Sequence, residues 1–153
     1  MERKKVWLTF DDGPRQVNTE TVLDSLARFD VKATFFIVGN LVARHGERIR
    51  RILDEGHRIG NHTYDHLRLV GQDRDTIIEQ IRRTEQALAP FQVPDPIMRP
   101  PYGAHDALVD RTVAELGYRQ VLWSVDTLDW NSNYQPGGWV SHGIEQISKR
   151  AHS

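Results

Sequence analysis

The residues in this chain whose types and spacing suggest chemistry are histidines and aspartates. His62 and His66 stand four positions apart, which on a helical turn sends both imidazoles to one side. Two rings so placed can hold a zinc-like cation through nitrogen at about 2.0–2.1 Å each. The residues between them, Thr63-Tyr64-Asp65, lack the glutamate of the His-Glu-x-x-His protease pattern. A protease of that type is disfavoured, and a base must come from elsewhere. Asp11 and Asp12 are adjacent. Two carboxylates at the end of a buried strand repel and are costly to desolvate, and a cation beside them relieves that cost. The functional reading gives Asp12 to the metal, together with His62 and His66. Asp11 is then the general base toward an attacking water. Taken alone, Asp11-Asp12-Gly13-Pro14 also reads as a surface turn. The histidines tip the balance toward a metal, provided that all four residues share one rim.

Three further positions extend the set. Arg99 can grip a carboxylate with its planar guanidinium. Paired with Asp11 it would keep that base ionised and oriented; otherwise it is an ordinary surface arginine. Pro100-Pro101 stiffens the following segment and helps aim Tyr102, whose backbone N–H is a candidate oxyanion donor. Trp130 can wall a groove for a sugar ring or sit in a core, with Asp129 beside it. His45, His57, His105, His142 and His152 lack partners at ligand spacing and read as structural or exposed.

Such residues must be gathered by a scaffold, and the patterning supplies one. Strands are expected over Lys5–Phe10, Lys32–Val38, Arg58–Asn61, Ile97–Met98 and Tyr118–Val125. Helical spacing marks Thr19–Phe29, a helix capped by Asn40 and ending near Glu55-Gly56, then Arg74–Leu88, Asp106–Leu116 and Trp139–Arg150. Strand followed by helix, repeated, predicts an α/β fold with a parallel sheet, wound into a barrel or left open. The polar clusters at Asp11-Asp12, Asn61-His62, Arg99–Gly103 and Asp126 each follow a strand. In a parallel fold those ends lie on one face, the face on which such folds carry their chemistry.

Composition narrows the alternatives. The 153 residues fit a single domain, and 39% are hydrophobic, enough for an ordinary core. Lys plus Arg is 20 against 21 Asp plus Glu, for a formal charge of −1, and nothing in that balance calls for nucleic acid. There is no cysteine, which excludes a disulfide framework and a thiolate metal site, so any metal is held by nitrogen and oxygen. No apolar run is long enough to span a bilayer, and no signal peptide is visible in this chain. Oligomeric state is not readable.

Taken together, the motifs resemble those of the polysaccharide deacetylase family, carbohydrate esterase family 4 with the NodB homology domain. Thr9-Phe10-Asp11-Asp12-Gly13-Pro14 is similar to its first motif and His62-Thr63-Tyr64-Asp65-His66 to its second. Arg99-Pro100-Pro101-Tyr102-Gly103 and Asp126-Thr127-Leu128-Asp129-Trp130 are similar to its third and fourth. The order and spacing fit along almost the whole chain. The resemblance implies that residues 1–153 are a deacetylase catalytic domain with a distorted (β/α) barrel. It implies metal-dependent hydrolysis of N-acetyl groups on peptidoglycan, chitin or chitooligosaccharide, with release of acetate. Asp12, His62 and His66 would hold a divalent metal, zinc first with cobalt or nickel as alternatives. Asp11 would be the base, Arg99 its orienter, and the Tyr102 N–H the oxyanion donor. Pro100, Tyr102 and Trp130 would meet the substrate. The implied location is secreted or in the cell envelope, and a cytoplasmic one is compatible with the chain.

One departure carries an expectation. The family's fifth motif, Leu-x-His on a further strand, supplies a general acid tuned by the carboxylate that corresponds to Asp129, and no such pattern follows the last helix here. The barrel is therefore expected to lack its closing strand, with the domain incomplete at its C-terminus. Metal binding is expected with weak turnover and lowered stability. An inactive carbohydrate-binding member and an esterase acting on O-acetyl xylan are the alternatives.

Overall fold

The structure, a computed structural model, describes residues 5–150. Residues 7–121 form one compact unit, and residues 122–150 with Lys5 and Val6 form a second. The first unit contains the sheet. Its strands are β1 (Leu8–Gly13), β2 (Ala33–Ile37), β3 (Arg58–Asn61), β4 (Ile97–Met98) and β5 (Arg119–Gln120). They pair in chain order, β1-β2-β3-β4-β5, every neighbour parallel. An open doubly wound sheet reverses its strand order at a switch point, whereas a barrel runs in sequence order. The order found is that of a barrel.

Alternation along the strands separates two faces. Phe10, Phe35, Ile37 and Ile59 face outward and pack with Leu23 and Leu26 of α1 (Gln16–Arg28) and Ile49 and Ile52 of α2 (Gly46–Asp54). Met98 faces a neighbouring cluster with Ile77 and Ile81 of α3 (Arg74–Leu88) and Val109 and Val113 of α4 (Ala107–Glu115). The opposite parity carries Thr9, Asp11, Phe36, Gly60, His62 and Arg99. Gly60 is required there, since a Cβ on it would lie 2.6 Å from the Phe36 ring and 3.1 Å from the Ile97 carbonyl oxygen. Helices α3 and α4 begin at aspartate caps. Asp73 accepts from Thr76 N–H, and Asp106 from Leu108 and Val109 N–H.

Several expected boundaries shift for local reasons. β1 starts at Leu8, not Lys5, and runs on through Asp11-Asp12 to Gly13, because Val38 N–H still donates to the Gly13 carbonyl (2.9 Å). The helix expected after Asn40 is split into a 3-10 turn over Gly39–Arg44 and the separate α2. Asn40 lies inside that turn and is not a cap; its side-chain amide donates instead to Asp65 (3.3 Å). β5 ends at Gln120, five residues short of Val125.

The second unit is built around α5 (Gly138–Arg150). Gln146 on this helix brackets Asp126, accepting from its N–H and donating to its carbonyl. The Asp126 carboxylate accepts from Leu128 N–H (2.9 Å), and Thr127 donates to Asp129 (2.7 Å). The Asp126–Trp130 segment is thus a tied side-chain turn, with Leu128 in the left-handed region at φ 56°. His152 lies outside the described residues.

Candidate metal centre

Each functional segment leaves the sheet one ladder bond beyond its neighbour. His62 N–H donates to Ile37 C=O, Arg99 N–H to Asn61 C=O, and Val121 N–H to Met98 C=O, at 2.9, 2.9 and 2.8 Å. The parallel register therefore delivers the ends of β1, β3 and β4 to one rim. Asp12 reaches it through an irregularity in β1. The register with β2 shifts between Phe10 and Gly13, and Asp12 sits at φ 66°. A bulge of this kind re-aims a side chain that strict alternation would send to the other face. The bulge inside the strand is thus what faces both carboxylates to the rim.

Asp12 Oδ1 lies 3.3 Å from His62 Nε2 and 3.0 Å from His66 Nε2. One ligand atom from each of the three residues falls within 4.8 Å of the others, and among the described residues no other group of this kind occurs. The histidines meet by a different route from the helical turn expected of them. They flank an irregular loop with Thr63 at φ 65° and His66 at φ 56°, and their ring centroids are 5.1 Å apart. The His62 side chain is 2% exposed, and its Nδ1 lies 2.7 Å from the Arg99 carbonyl oxygen. A carbonyl only accepts, so Nδ1 carries a proton, and Nε2 is the ring atom that faces Asp12. Second partners of this kind fix the tautomer and orientation of metal-binding histidines. Two imidazole nitrogens and a carboxylate oxygen, gathered this closely, fit a divalent cation. The nearby imidazole nitrogens hold the Asp12 carboxyl well below the usual carboxylate range.

Arg99 also serves the second carboxylate. Its side chain is 3% exposed. Nη1 donates to Asp11 Oδ1 (2.8 Å) and to Thr9 Oγ1 (2.9 Å), Nε donates to Val121 C=O (3.0 Å), and Cζ lies 4.2 Å from the centre of the Phe36 ring. Burial pushes the Asp11 carboxyl up, opposed by the charges of His62 and Arg99. The Arg99 guanidinium favours the ionised form of this carboxyl against its burial. One residue thus meets His62 with its backbone and Asp11 with its side chain.

Tyr102 is at φ 63°, largely exposed, with its ring edge against His66 at 4.9 Å. Pro100 is buried, so in this segment Tyr102 supplies the surface and Pro100 shapes the backbone. Asp129 and the exposed Trp130 belong to the second unit. Among the histidines expected to be structural, His57 is buried and accepts from Ala33 N–H (3.2 Å). His105 pairs with Asp110 (2.9 Å) and His45 with Arg48 (3.1 Å). The sequence reading missed Gln80, which is buried on α3 and bonded to the histidine loop. A long polar residue in register with Ile77, Ile81 and Leu88 was its signal.

A parallel sheet in barrel order with an Asp-His-His rim defines the class: an α/β barrel with a candidate metal centre. The polysaccharide deacetylase profile matches residues 1–121, and the chain belongs to that family. It is 43% identical over 143 residues to the peptidoglycan N-acetylglucosamine deacetylase PgdA of Listeria monocytogenes, covering 92% of this chain and 29% of that protein. It is 39% identical over 131 residues to a chitooligosaccharide deacetylase of Rhizobium leguminosarum bv. trifolii, covering 84% of this chain and 60% of the relative. The chain thus spans well under two thirds of either relative. Its fold matches a family 4 carbohydrate esterase of Streptomyces lividans, solved with acetate. That match has a TM-score of 0.82 and 33% identity, covering 90% of this chain and 71% of that one.

Proposed function

We propose that this chain carries a metal-dependent deacetylase site for an N-acetylated amino-sugar polymer or oligomer, of the peptidoglycan, chitin or chitooligosaccharide type. Asp12, His62 and His66 hold the cation; their nitrogen and oxygen donors suit zinc, cobalt and nickel alike, and zinc is the ion to test first. When bound, such an ion polarises an acyl oxygen and lowers the pKa of water toward about 7. Asp11 takes the proton as water oxygen attacks the acetyl carbon, and Arg99 keeps Asp11 charged and in place. The Tyr102 N–H donates to the oxyanion that develops. The carbon–nitrogen bond then breaks, the amine takes a proton, and acetate leaves. The exposed face of Tyr102 meets the sugar, and the exposed Trp130 offers a further carbohydrate-binding surface. The proton that Asp11 took from water is the one available to the amine. The relatives' substrates suggest action in the cell envelope or outside the cell. No helix among the described residues is long and apolar enough to cross a membrane.

One observation carries this reading: Arg99 secures both a metal-type histidine and a carboxylate base within one rim. A protein that only bound carbohydrate would have no use for the base. The test is acetate release from N-acetylglucosamine oligomers, with O-acetylated xylan in parallel, on chelated and zinc-loaded protein. Activity is expected on the amino sugar, lost on chelation and restored by zinc. Asp11→Asn is expected to lower kcat by about 10²- to 10⁴-fold while zinc stays bound. Release from xylan alone would make the site an esterase, and zinc binding with no release from either substrate would leave a binding protein.

A further inference from the structure

We propose that Gln80 of α3 is a positioning residue for the metal centre, acting through the loop that carries His66; this rests on the metal reading above. The loop is an unstable arrangement by itself. Thr63 and His66 both occupy the left-handed region at φ 65° and 56°, and a β-branched residue there persists only where its surroundings over-determine it. The surroundings do so bond by bond. Thr63 N–H donates to the Asn61 side chain (2.9 Å), Gly39 N–H to Thr63 C=O (2.9 Å), and Asn40 N–H to Tyr64 C=O (3.0 Å). The two amides before His66 go to one atom: Tyr64 and Asp65 N–H both donate to Gln80 Oε1, at 3.1 and 2.9 Å. Gln80 Nε2 returns a bond to Asp65 Oδ2 (2.9 Å).

This clasp fits a glutamine in particular. Two N–H donors demand an oxygen and a carboxylate demands an N–H, so the amide can take only one orientation. A glutamate could accept but not donate, and a methionine of similar length could do neither. Gln80 is 6% exposed and sits in the stripe of α3 that also buries Ile77, Ile81, Thr84 and Leu88. An amide at such a site is costly unless every bond is made, and here the bonds go to the residues immediately before His66. Gly39 lets the loop close against the helix, since a Cβ there would meet Thr84 Oγ1 at 2.6 Å and the Tyr64 ring at 2.7 Å. Gln80 therefore sets where the His66 imidazole stands relative to Asp12 and His62 without touching any of the three side chains.

The experiment is zinc titration against a competing chelator on the full chain and on Gln80→Met, Gln80→Glu and Ile77→Val. It is read beside amide hydrogen exchange at Tyr64 and Asp65 in zinc-free protein. Gln80→Met is expected to bind zinc about ten- to a hundredfold more weakly, the range for loss of an outer-shell partner, with faster exchange at both amides. Gln80→Glu should fall between it and the parent. Ile77→Val trims the same buried helix face and should bind as the parent does. Gln80→Met binding zinc as tightly as the parent overturns the proposal while the metal reading stands. Affinity losses that follow stability in all three variants, Ile77→Val included, also overturn it. If Gln80→Met does not fold, unchanged affinity in Gln80→Glu is the overturning result. A parent chain that takes up no zinc removes the metal reading itself, and this inference with it.

Discussion

At the scale of single residues, the two adjacent aspartates are set in opposite directions by what surrounds them. Asp11 is raised chiefly by burial, and Asp12 is lowered chiefly by the hydrogen bonds of His62 and His66. The sign of the Asp12 effect on stability follows. A carboxyl depressed in the folded state favours folding when ionised; that contribution is complete above its ordinary value of 3.8 and is lost as pH falls toward the folded value. In zinc-free protein, Asp12→Asn is therefore expected to be less stable than the parent near neutrality, with the gap closing in acid. Urea unfolding across pH measures it, and a gap that widens in acid would contradict the assignment.

At the scale of elements, the site depends on close approach between strands. Phe36 of β2 lies under the Arg99 guanidinium and against the backbone of Gly60. Gly60→Ala must displace that ring or the β4 backbone. The expected cost is about 1–3 kcal/mol, the range for overpacking a filled interior, with weaker zinc binding because Arg99, whose carbonyl holds His62, loses its seat. Asp106→Ala, at the start of α4, should cost about 1 kcal/mol through the lost cap and leave zinc affinity unchanged. Denaturant midpoints together with zinc titration separate the two. A Gly60→Ala chain of parental stability would show that the ring has room to move.

At the scale of the whole molecule, the ligands come from distant parts of the chain. Asp12 ends β1, while His62 and His66 follow β3. A cation held by all three binds only the folded state and so stabilises it. The gain is about 2.7 kcal/mol when free metal stands at about a hundred times its dissociation constant. Zinc should raise the melting temperature of the parent and leave that of His62→Ala or Asp12→Ala nearly unchanged. An equal rise in all three would place the bound zinc elsewhere.

What the sequence determined by itself was the inventory. Asp11-Asp12, the His62/His66 pair, Arg99 and Tyr102 were legible because their types are rare in combination and each follows a strand-like run. Three of the strands and the spans of α3 and α5 were also legible to within a residue or two, because their patterning and punctuation are local. Tertiary structure decided how those residues meet. The bulge at Asp12 overrides alternation, and the loop to His66 replaces the helical turn that its spacing suggested. The Arg99 carbonyl meets the His62 ring, and Gln80 holds the loop from another helix. Each of these is a contact between segments far apart in the chain. Local propensity and spacing carry no information about such contacts, because the energy that fixes them exists only once the sheet has put those segments side by side.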